Sequence, residues 1–376
     1  MTVESLTAAR VVAPSSPAGQ ASGKPRRGRS LSGRSPLVAF WIIIVAILVL
    51  PIALFLVVAL SPRLFGQGPE WFTVRAFATA LSGPSLHGLV DSLLVGVTTA
   101  VAAAAVGFGV AWMVLRTSVT GRRLWTASMF ALLLAPSYLV ALGWERLLEP
   151  AGVLDVLGIH PDAMRSVFYG PVGVIVVLTV KGVPFAYLAI SSALRGLGEE
   201  FEAAARVHGG GRLASVRIVL ALLAPALWAA LAIVFAESVS DFGVAATLAN
   251  DAHFPVATLT LYRAIGSFPV QFPVAAAVGW CLMALAGLAL FAQGRATRGR
   301  TYRVLGGRSR PARRHLLSPV MNAAAVLSLA GLTVAGLGVP IFGAVSASLI
   351  NGLGSLVGTH ALTFDNYRRV LGSPAL

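Results

Sequence analysis

The sequence predicts an all-α, polytopic membrane protein with about seven transmembrane helices. Hydrophobic residues make up 57% of the 376 residues and charged residues 11%, whereas soluble domains average about 45–50% apolar and 25% charged residues. Apolar runs of about 18 residues or more can cross a hydrocarbon core, because a helix satisfies its own backbone hydrogen bonds. Seven such runs lie at 37–60, 88–115, 124–144, 169–194, 221–248, 273–293 and 319–350. The last is too long for one straight crossing, so we expect its ends at the interface or in a loop.

Basic residues predict the orientation of these spans. Of the 29 Lys and Arg residues, 21 fall in segments 1–36, 116–123, 195–217 and 295–317, and seven fall in segments on the other side. The positive-inside rule therefore predicts a cytoplasmic N-terminus. The formal charge of +15 then reflects topology and contact with anionic lipid and does not indicate a nucleic-acid partner. The first 36 residues are rich in Ser, Ala, Gly, Pro and Arg, which predicts a disordered tail.

A polar segment between the fourth and fifth spans carries the most specific motif. Glu202-Ala203-Ala204 is followed by Ile218 and Leu220, sixteen and eighteen residues after the glutamate. This spacing resembles the EAA loop of binding-protein-dependent, type I ABC importer permeases, where the membrane subunit meets the ATPase. The resemblance implies that the ATPase-coupling residues are Glu202, Ala203, Ala204, His208, Gly209, Ile218 and Leu220.

The residues of this loop suit a short helix, a turn and a second helix. Glu202 and its acidic neighbours lie near the start of the first helix, where negative charge is favourable, and the alanines favour a slim helix. The glycines at 209–211 permit the turn before Arg212 begins the second helix. Two positions depart from the family pattern, because His208 stands where the motif has glycine and Ala221 where it has proline.

Sequence from the first quarter of the chain recurs in its last quarter, which predicts an internal repeat. Leu50-Pro51-Ile52 is echoed by Val339-Pro340-Ile341 at a shift of 289 residues, and residues 73–86 are echoed by 363–376 at a shift of 290. Repeated membrane halves place a transport pathway at their interface. We expect four parts: a basic tail, 1–36; a first permease domain, 37–294, with the EAA loop at 195–225; an Arg-rich cytoplasmic linker, 295–317; and the start of a second, incomplete domain, 318–376.

The repeat and the stretches 237–243 and 362–367 extend the resemblance to the whole chain. They are similar to the fused permeases of ferric-iron ABC importers, in which one polypeptide carries two copies of a six-span domain. The resemblance implies a multi-pass protein of the bacterial plasma (inner) membrane that imports ferric iron, is not itself an enzyme and needs no cofactor. The implied partners are two ABC ATPase subunits, an extracytoplasmic solute-binding protein, the lipid bilayer and a second permease half that is missing from this chain.

Three charged residues within the spans are predicted to line the transport pathway. Lys181 falls near the middle of the fourth span, and Glu237 and Asp241 lie one helical turn apart on one face of the fifth. A charge at the bilayer centre is unfavourable unless it faces a partner or water. A Lys181–Glu237 pair that gates the pathway and a pair that only holds two helices together are both consistent with the sequence. Pro136 is expected to kink the third span.

Other functions find less support in the sequence. Residues 19–24 lack the Ser/Thr and the spacing of a phosphate loop, so ATP hydrolysis is expected on another polypeptide. The six histidines show no metal-ligand spacing, and the single Cys281 excludes an intrachain disulfide. The open alternatives are a permease for thiamine, polyamines, sulfate or phosphonate, and a secondary transporter driven by an ion gradient. The expected docking surface for a binding protein is the acidic outward loops 145–168 and 249–272.

Overall fold

A computed structural model describes residues 35–150, 153–198, 212–298, 314–350 and 363–373 of the chain. In these ranges the regular structure is helical, apart from an isolated parallel bridge between Thr117 and His315. The all-α prediction is therefore confirmed. The helices are α1 (Ser35–Val58), α2 (Arg75–Ala80), α3 (Gly83–Arg116), α4 (Arg122–Leu134), α5 (Ser137–Leu148), α6 (Val153–Val156), α7 (Asp162–Phe168), α8 (Pro171–Gly196), α9 (Arg212–Ser240), α10 (Ala257–Gly266), α11 (Phe272–Thr297), α12 (Pro319–Thr333), α13 (Val339–Ser348) and α14 (Asp365–Leu371). Shorter turns are a 3₁₀ turn (Pro62–Phe65) and two π turns (Ala245–Ala249 and Val334–Gly338).

Within the described residues, six helical segments are long and apolar enough to cross a membrane. They confirm six of the seven predicted spans. The predicted third span, 124–144, is instead the pair α4 and α5, which bend by 99° at their junction. Counting this pair as one broken span gives seven. The six unbroken segments are Leu37–Val58, Gly83–Arg116, Pro171–Gly196, Arg217–Ser240, Phe272–Thr297 and Pro319–Ser348.

Two spans differ in extent from the prediction. The fifth is predicted at 221–248, but α9 ends at Ser240. The chain breaks there because the Asp241 carboxylate accepts a hydrogen bond from the Val244 backbone N–H, 2.8 Å away, in the manner of a helix N-cap. The seventh is predicted at 319–350, and α12, the π turn Val334–Gly338 and α13 form one helical run that ends at Ser348, two residues before the end of that range.

Residues 1–52 and 53–376 form two compact units. In the first unit the structure describes residues 35–52 of α1, which are apolar on every side. From Leu37 to Ile52 every side chain except Ile44 is exposed. A helix without a polar face suits lipid or another apolar protein surface.

The core of the second unit is built from α3, α8 and α9, whose small residues allow close approach. A Cβ at Gly107 of α3 would lie 2.7 Å from the Ala186 Cβ and 3.0 Å from the Tyr187 backbone nitrogen of α8. A Cβ at Gly182 of α8 would lie 2.7 Å from a methyl of Val234 in α9. Membrane helices associate through such small residues because burial from lipid supplies little hydrophobic driving force. These three helices therefore form the rigid centre of the described structure.

The run from α12 to α13 packs directly on α5. A Cβ at Gly143 of α5 would lie 2.9 Å from the Pro340 nitrogen, and a Cβ at Gly343 of α13 would lie 3.2 Å from the Gly143 carbonyl oxygen. Beside this crossing, the Trp144 indole N–H donates to the Ala335 carbonyl oxygen in the π turn, at 3.0 Å. The backbones of α5 and α13 are thus in contact, with one side-chain hydrogen bond fixing their register.

We predict that Gly143→Leu will destabilise the protein in detergent by about 1–3 kcal/mol or more, because the added side chain has no room against the α13 backbone. Gly331→Leu is the matched control, since nothing lies within 4 Å of a Cβ at Gly331 in α12. Thermal unfolding followed by tryptophan fluorescence measures both variants. Equal unfolding temperatures for the two would contradict the observed crossing.

Candidate functional site

The broken third span is the centre of the site. Helix α4 ends at Leu134, and Pro136 adopts an extended conformation (φ −64°, ψ 138°) before α5 begins at Ser137. Because proline lacks a backbone N–H and the chain turns by 99°, carbonyl oxygens in the last turn of α4 lose their partners within the helix. Pro136 therefore divides the span into two helices, whereas the sequence predicted only a kink.

Lys181 supplies hydrogen-bond donors at this break. Its Nζ, on α8, lies 2.6 Å from the Ala135 carbonyl oxygen and 3.0 Å from that of Leu133, and the residue is only 7% exposed. A cation at a helix C-terminus also interacts favourably with the helix dipole. The hydrogen-bond partners of Lys181 are thus these two carbonyl oxygens, and the Glu237 carboxylate is not among them.

Glu237 and Asp241 lie near the same break. Asp241 precedes Gly243 by two residues, and Gly243 lies against the start of α5. One carboxylate oxygen of Glu237 is buried and has no hydrogen-bond partner among the described residues. Asp241 caps the turn that follows α9, and its own carbonyl oxygen accepts a hydrogen bond from the Thr258 hydroxyl at 3.1 Å. The structure therefore brings together the three charged residues singled out from the sequence.

The turn after α9 rests on the start of α5. A Cβ at Gly243 would lie 2.6 Å from the Tyr138 backbone nitrogen and would also collide with the Ser137 hydroxyl. Only glycine permits this approach without a shift of the backbone. Two helix interruptions, one after α4 and one after α9, are consequently in direct contact inside the bundle. Irregular backbone at membrane depth is tolerated where it is buried in protein or lines a cavity.

A small recess lies beside this contact, between α3, α8, α9 and α10. Its polar lining consists of Ser92, Ser238, Asp241 and Thr258. The Ser92 hydroxyl accepts a hydrogen bond from the Ala257 backbone N–H at 2.8 Å, whereas the buried Ser238 hydroxyl has no partner among the described residues. Sequence reasoning named only Asp241 of this set, because serine and threonine in an apolar span give no pattern of their own.

The EAA loop is described only at its two ends. Glu202, Ala203, Ala204, His208 and Gly209 lie outside the described residues. Ile218 and Leu220 lie in α9, where Ile218 is 40% exposed and Leu220 is partly buried. Helix α9 is described from Arg212 onward, so residues 212–220 of the loop are helical, as expected for its second arm.

The predicted docking loop 145–168 is organised by Arg165. Its guanidinium donates to the carboxylates of Asp155 and Asp162, at 2.7 and 2.9 Å, and to the carbonyl oxygens of Leu148 and Glu149, at 2.7 and 3.1 Å. The hydrogen bond that Arg165 donates to Asp155 is the main cause of the raised pKa of Arg165.

Glu149 in turn forms an ion pair with Arg146. Much of the negative charge predicted for docking is therefore compensated within the loop itself. Asp162 still presents an 81% exposed side chain, so one carboxylate of the loop remains accessible from outside while it is paired to Arg165.

Comparison with known proteins relates this fold to a class of transporters. No family model matches the chain. The sulfate transport system permease protein CysT of Salmonella typhimurium is 28% identical over 246 residues, covering 65% of this chain and 85% of the relative. A probable molybdenum ABC transporter permease of Haloferax volcanii is 28% identical over 201 residues, covering 48% and 72%. The ferric transport system permease protein FbpB of Actinobacillus pleuropneumoniae is 24% identical over 254 residues, covering 66% and 34%.

A solved structure shares the same fold. A chain of a bacterial ABC transporter involved in the import of alginate superposes with a TM-score of 0.56 at 18% identity, covering 72% of this chain and 98% of that one. With the sequence relatives, this confirms the resemblance to type I, binding-protein-dependent ABC importer permeases. The chain is therefore similar in sequence and in fold to the permeases of ABC importers.

We predict that Lys181→Met will destabilise the folded protein by about 2–4 kcal/mol, because two buried carbonyl oxygens lose their donor and each unmade hydrogen bond costs about 1–3 kcal/mol. Thr179→Val on the same helix is the control, since the Thr179 hydroxyl is buried without a partner and its loss should be neutral. The unfolding temperature in detergent measures both. An unchanged value for Lys181→Met would show that the break does not depend on Lys181.

We also predict that Arg165→Ala will loosen the loop between α5 and α8, because four acceptors lose their shared donor. Hydrogen–deuterium exchange should rise by roughly tenfold at the backbone amides of residues 162–169, which corresponds to about 1.4 kcal/mol of local stability. Arg75→Ala is the control, because the ion pair of Arg75 with Glu70 is largely exposed and such pairs contribute little. Exchange at 162–169 that stays at the wild-type rate would refute the role of Arg165.

Proposed function

We propose that this protein is the membrane permease of an ATP-driven importer for ferric iron, delivered by an extracytoplasmic binding protein. The observation that carries the choice of iron is the internal repeat, since a repeated permease unit is the property of the fused ferric-iron type. The sequence relationship to FbpB, a ferric permease of which this chain covers 34%, gives independent support.

The repeat extends to backbone hydrogen bonds. After α1, the Thr73 backbone N–H donates to the Leu60 carbonyl oxygen at 2.8 Å, and after α13 the Thr363 N–H donates to the Leu349 carbonyl oxygen at 2.7 Å. Leu60 and Leu349 are separated by 289 residues, as are Pro51 and Pro340, whereas the two threonines are separated by 290. One residue more therefore lies between the helix and the threonine in the second copy.

The short helix that follows is repeated as well. The Thr73 hydroxyl accepts from the Arg75 N–H at 3.3 Å, and the Thr363 hydroxyl accepts from the Asp365 N–H at 3.1 Å. Helices α2 and α14 begin at these two residues, Arg75 and Asp365. Two equivalent hydrogen bonds at matching positions support the inference that a second permease unit starts near residue 318.

The charges near the helix break favour a cationic cargo. Two carboxyl groups, Glu237 and Asp241, accompany one ammonium group, Lys181, so the site carries a net negative charge whenever both carboxyl groups are ionised. Such a charge attracts a cation and repels an oxyanion. A second candidate is an oxyanion, because CysT, a sulfate permease, matches this chain over 85% of its own length.

Under this proposal the partners are two ABC ATPase subunits that bind the EAA loop, a binding protein at the outer loops and a second permease half. The excess of basic residues in segments 1–36, 116–123, 195–217 and 295–317 supports a cytoplasmic N-terminus in the bacterial inner membrane. The pathway residues are Lys181, Glu237 and Asp241, with Lys181 acting through the shape of the third span.

Uptake in the native host tests the cargo. We expect deletion of the gene to abolish high-affinity uptake of ⁵⁵Fe(III) while uptake of ³⁵S-sulfate and ⁹⁹Mo-molybdate stays normal, and the wild-type gene to restore it. Loss of sulfate or molybdate uptake with normal iron uptake would show that the cargo is the oxyanion and not iron.

We predict that Glu202→Lys will abolish co-purification of the ATPase with the permease, because reversal of charge at the start of the coupling helix opposes both the contact and the helix dipole. Glu70→Lys, in the segment predicted to face outward, serves as the control and should leave the complex intact. Quantitative mass spectrometry of the purified complex measures the ATPase. Normal ATPase recovery with Glu202→Lys would show that the loop is not part of the interface.

A further inference from the structure

The turn between α3 and α4 binds the end of α8. Arg116, the last residue of α3, is 2% exposed, and its Nη2 lies 2.9 Å from the Leu197 carbonyl oxygen and 3.4 Å from that of Leu194. The last carbonyl groups of a helix have no partners within it, and a cation there also complements the helix dipole. Arg116 therefore caps α8, and Glu202 follows Leu197 by five residues.

The same turn binds the segment that leads into α12. The His315 N–H donates to the Arg116 carbonyl oxygen at 2.8 Å, and the Ser118 N–H donates to the His315 carbonyl oxygen at 3.1 Å. The Leu317 N–H donates to the Ser118 hydroxyl at 3.0 Å. The His315 ring stacks on Trp112 at an interplanar angle of 16°. Arg116 thus binds the end of α8 through its side chain and the segment before α12 through its backbone carbonyl oxygen.

A further pair of hydrogen bonds closes this junction. The Thr120 N–H donates to the Asn322 side-chain oxygen at 3.0 Å, and the Asn322 amide donates back to the Thr120 hydroxyl at 3.0 Å. Asn322 lies in the first turn of α12. We call residues 116–120 together with 315–322 the clasp.

The clasp shares an apolar cluster with the second arm of the EAA loop. Val219 lies between the motif residues Ile218 and Leu220 and is 1% exposed. It belongs to the same apolar cluster as Leu197 at the end of α8 and Val119 in the clasp, and α12 contributes to this cluster as well. The end of α8, where the loop begins, and the start of α9, where it ends, therefore belong to one apolar cluster together with the clasp and α12.

We propose that Arg116 is a positioning residue that couples the EAA loop to the second permease unit through the clasp. A displacement of the end of α8 displaces the buried guanidinium of Arg116. Because the backbone carbonyl oxygen of Arg116 binds the segment before α12, the loop and the second unit move as one body. This inference rests on the proposed contact between the loop and an ATPase. It predicts that the clasp stays closed throughout the transport cycle.

A disulfide across the clasp tests this rigidity without reference to the cargo. Thr117→Cys and His315→Cys, which face each other in the parallel bridge, are introduced together into the full chain with Cys281→Ala. We expect a disulfide in native membranes after mild oxidation, detected as a mobility shift that reductant reverses. The single-cysteine variants are the controls. Absence of the crosslink would overturn the proposal even if the protein imports iron.

The second measurement is the ratio of substrate uptake to ATP hydrolysis in membrane vesicles that contain the whole transporter, with ferric citrate and the binding protein supplied. The crosslinked protein should keep the wild-type ratio, whereas Arg116→Gln should keep ATP hydrolysis and lose uptake by roughly tenfold, a coupling of ordinary size. Arg116→Lys, which retains the charge, should lie between them. Reversible arrest by the crosslink, or a parallel loss of both activities in Arg116→Gln, would refute the role.

Asn322→Ala keeps the test valid if Arg116→Gln does not fold. It removes only the hydrogen bonds with Thr120 from the clasp, and we expect a smaller fall in the same ratio. A wild-type ratio in this variant would overturn the proposal. No iron uptake by the wild-type protein would instead count against the proposed cargo, and the crosslinking result would stand by itself.

Discussion

The hydrogen bonds of Lys181 to the Leu133 and Ala135 carbonyl oxygens are the interaction on which the arrangement of the bundle depends. Lipid offers no partner for a carbonyl group that a helix break leaves free. A break at Pro136 is therefore compatible with the membrane only because a neighbouring helix provides a donor at that depth. Once the break exists, α5 is free to turn away from α4 and to meet α13. The position of one ammonium group thus affects where the run from α12 to α13 can pack.

Close approach of backbones is the second constraint. Gly243 lets the turn after α9 lie against the start of α5, and Gly143 with Gly343 lets α13 cross α5 in contact. Larger apolar side chains at these positions would be equally compatible with lipid but would keep the segments apart. In this protein glycine therefore determines which helices are neighbours, while the hydrophobic residues determine only that they are in the membrane.

Hydropathy was sufficient to predict six of the spans, because length and apolarity are local properties of the sequence. At 124–144 hydropathy indicated an apolar run but not the break within it, where the backbone turns at a proline. The role of Lys181 could not be predicted either, since its partners are backbone carbonyl groups 46 and 48 residues earlier in the chain, and carbonyl groups have no signature in the sequence. The predicted repeat rests on a proline and a threonine that recur at a nearly constant shift, and the two threonines make equivalent backbone hydrogen bonds in the structure.

The hydrogen bond from Trp144 to the π turn has a consequence for the order of folding. The helical run from α12 to α13 contains a π turn where the Trp144 side chain of α5 donates to the Ala335 carbonyl oxygen. The hydrogen-bond donor at this turn is thus synthesised almost two hundred residues before the turn itself. The run from Pro319 to Ser348 is therefore packed against an earlier part of the chain. Domains generally fold from the N-terminus during synthesis, and this order supplies the hydrogen-bond donor of the run before the run itself is made.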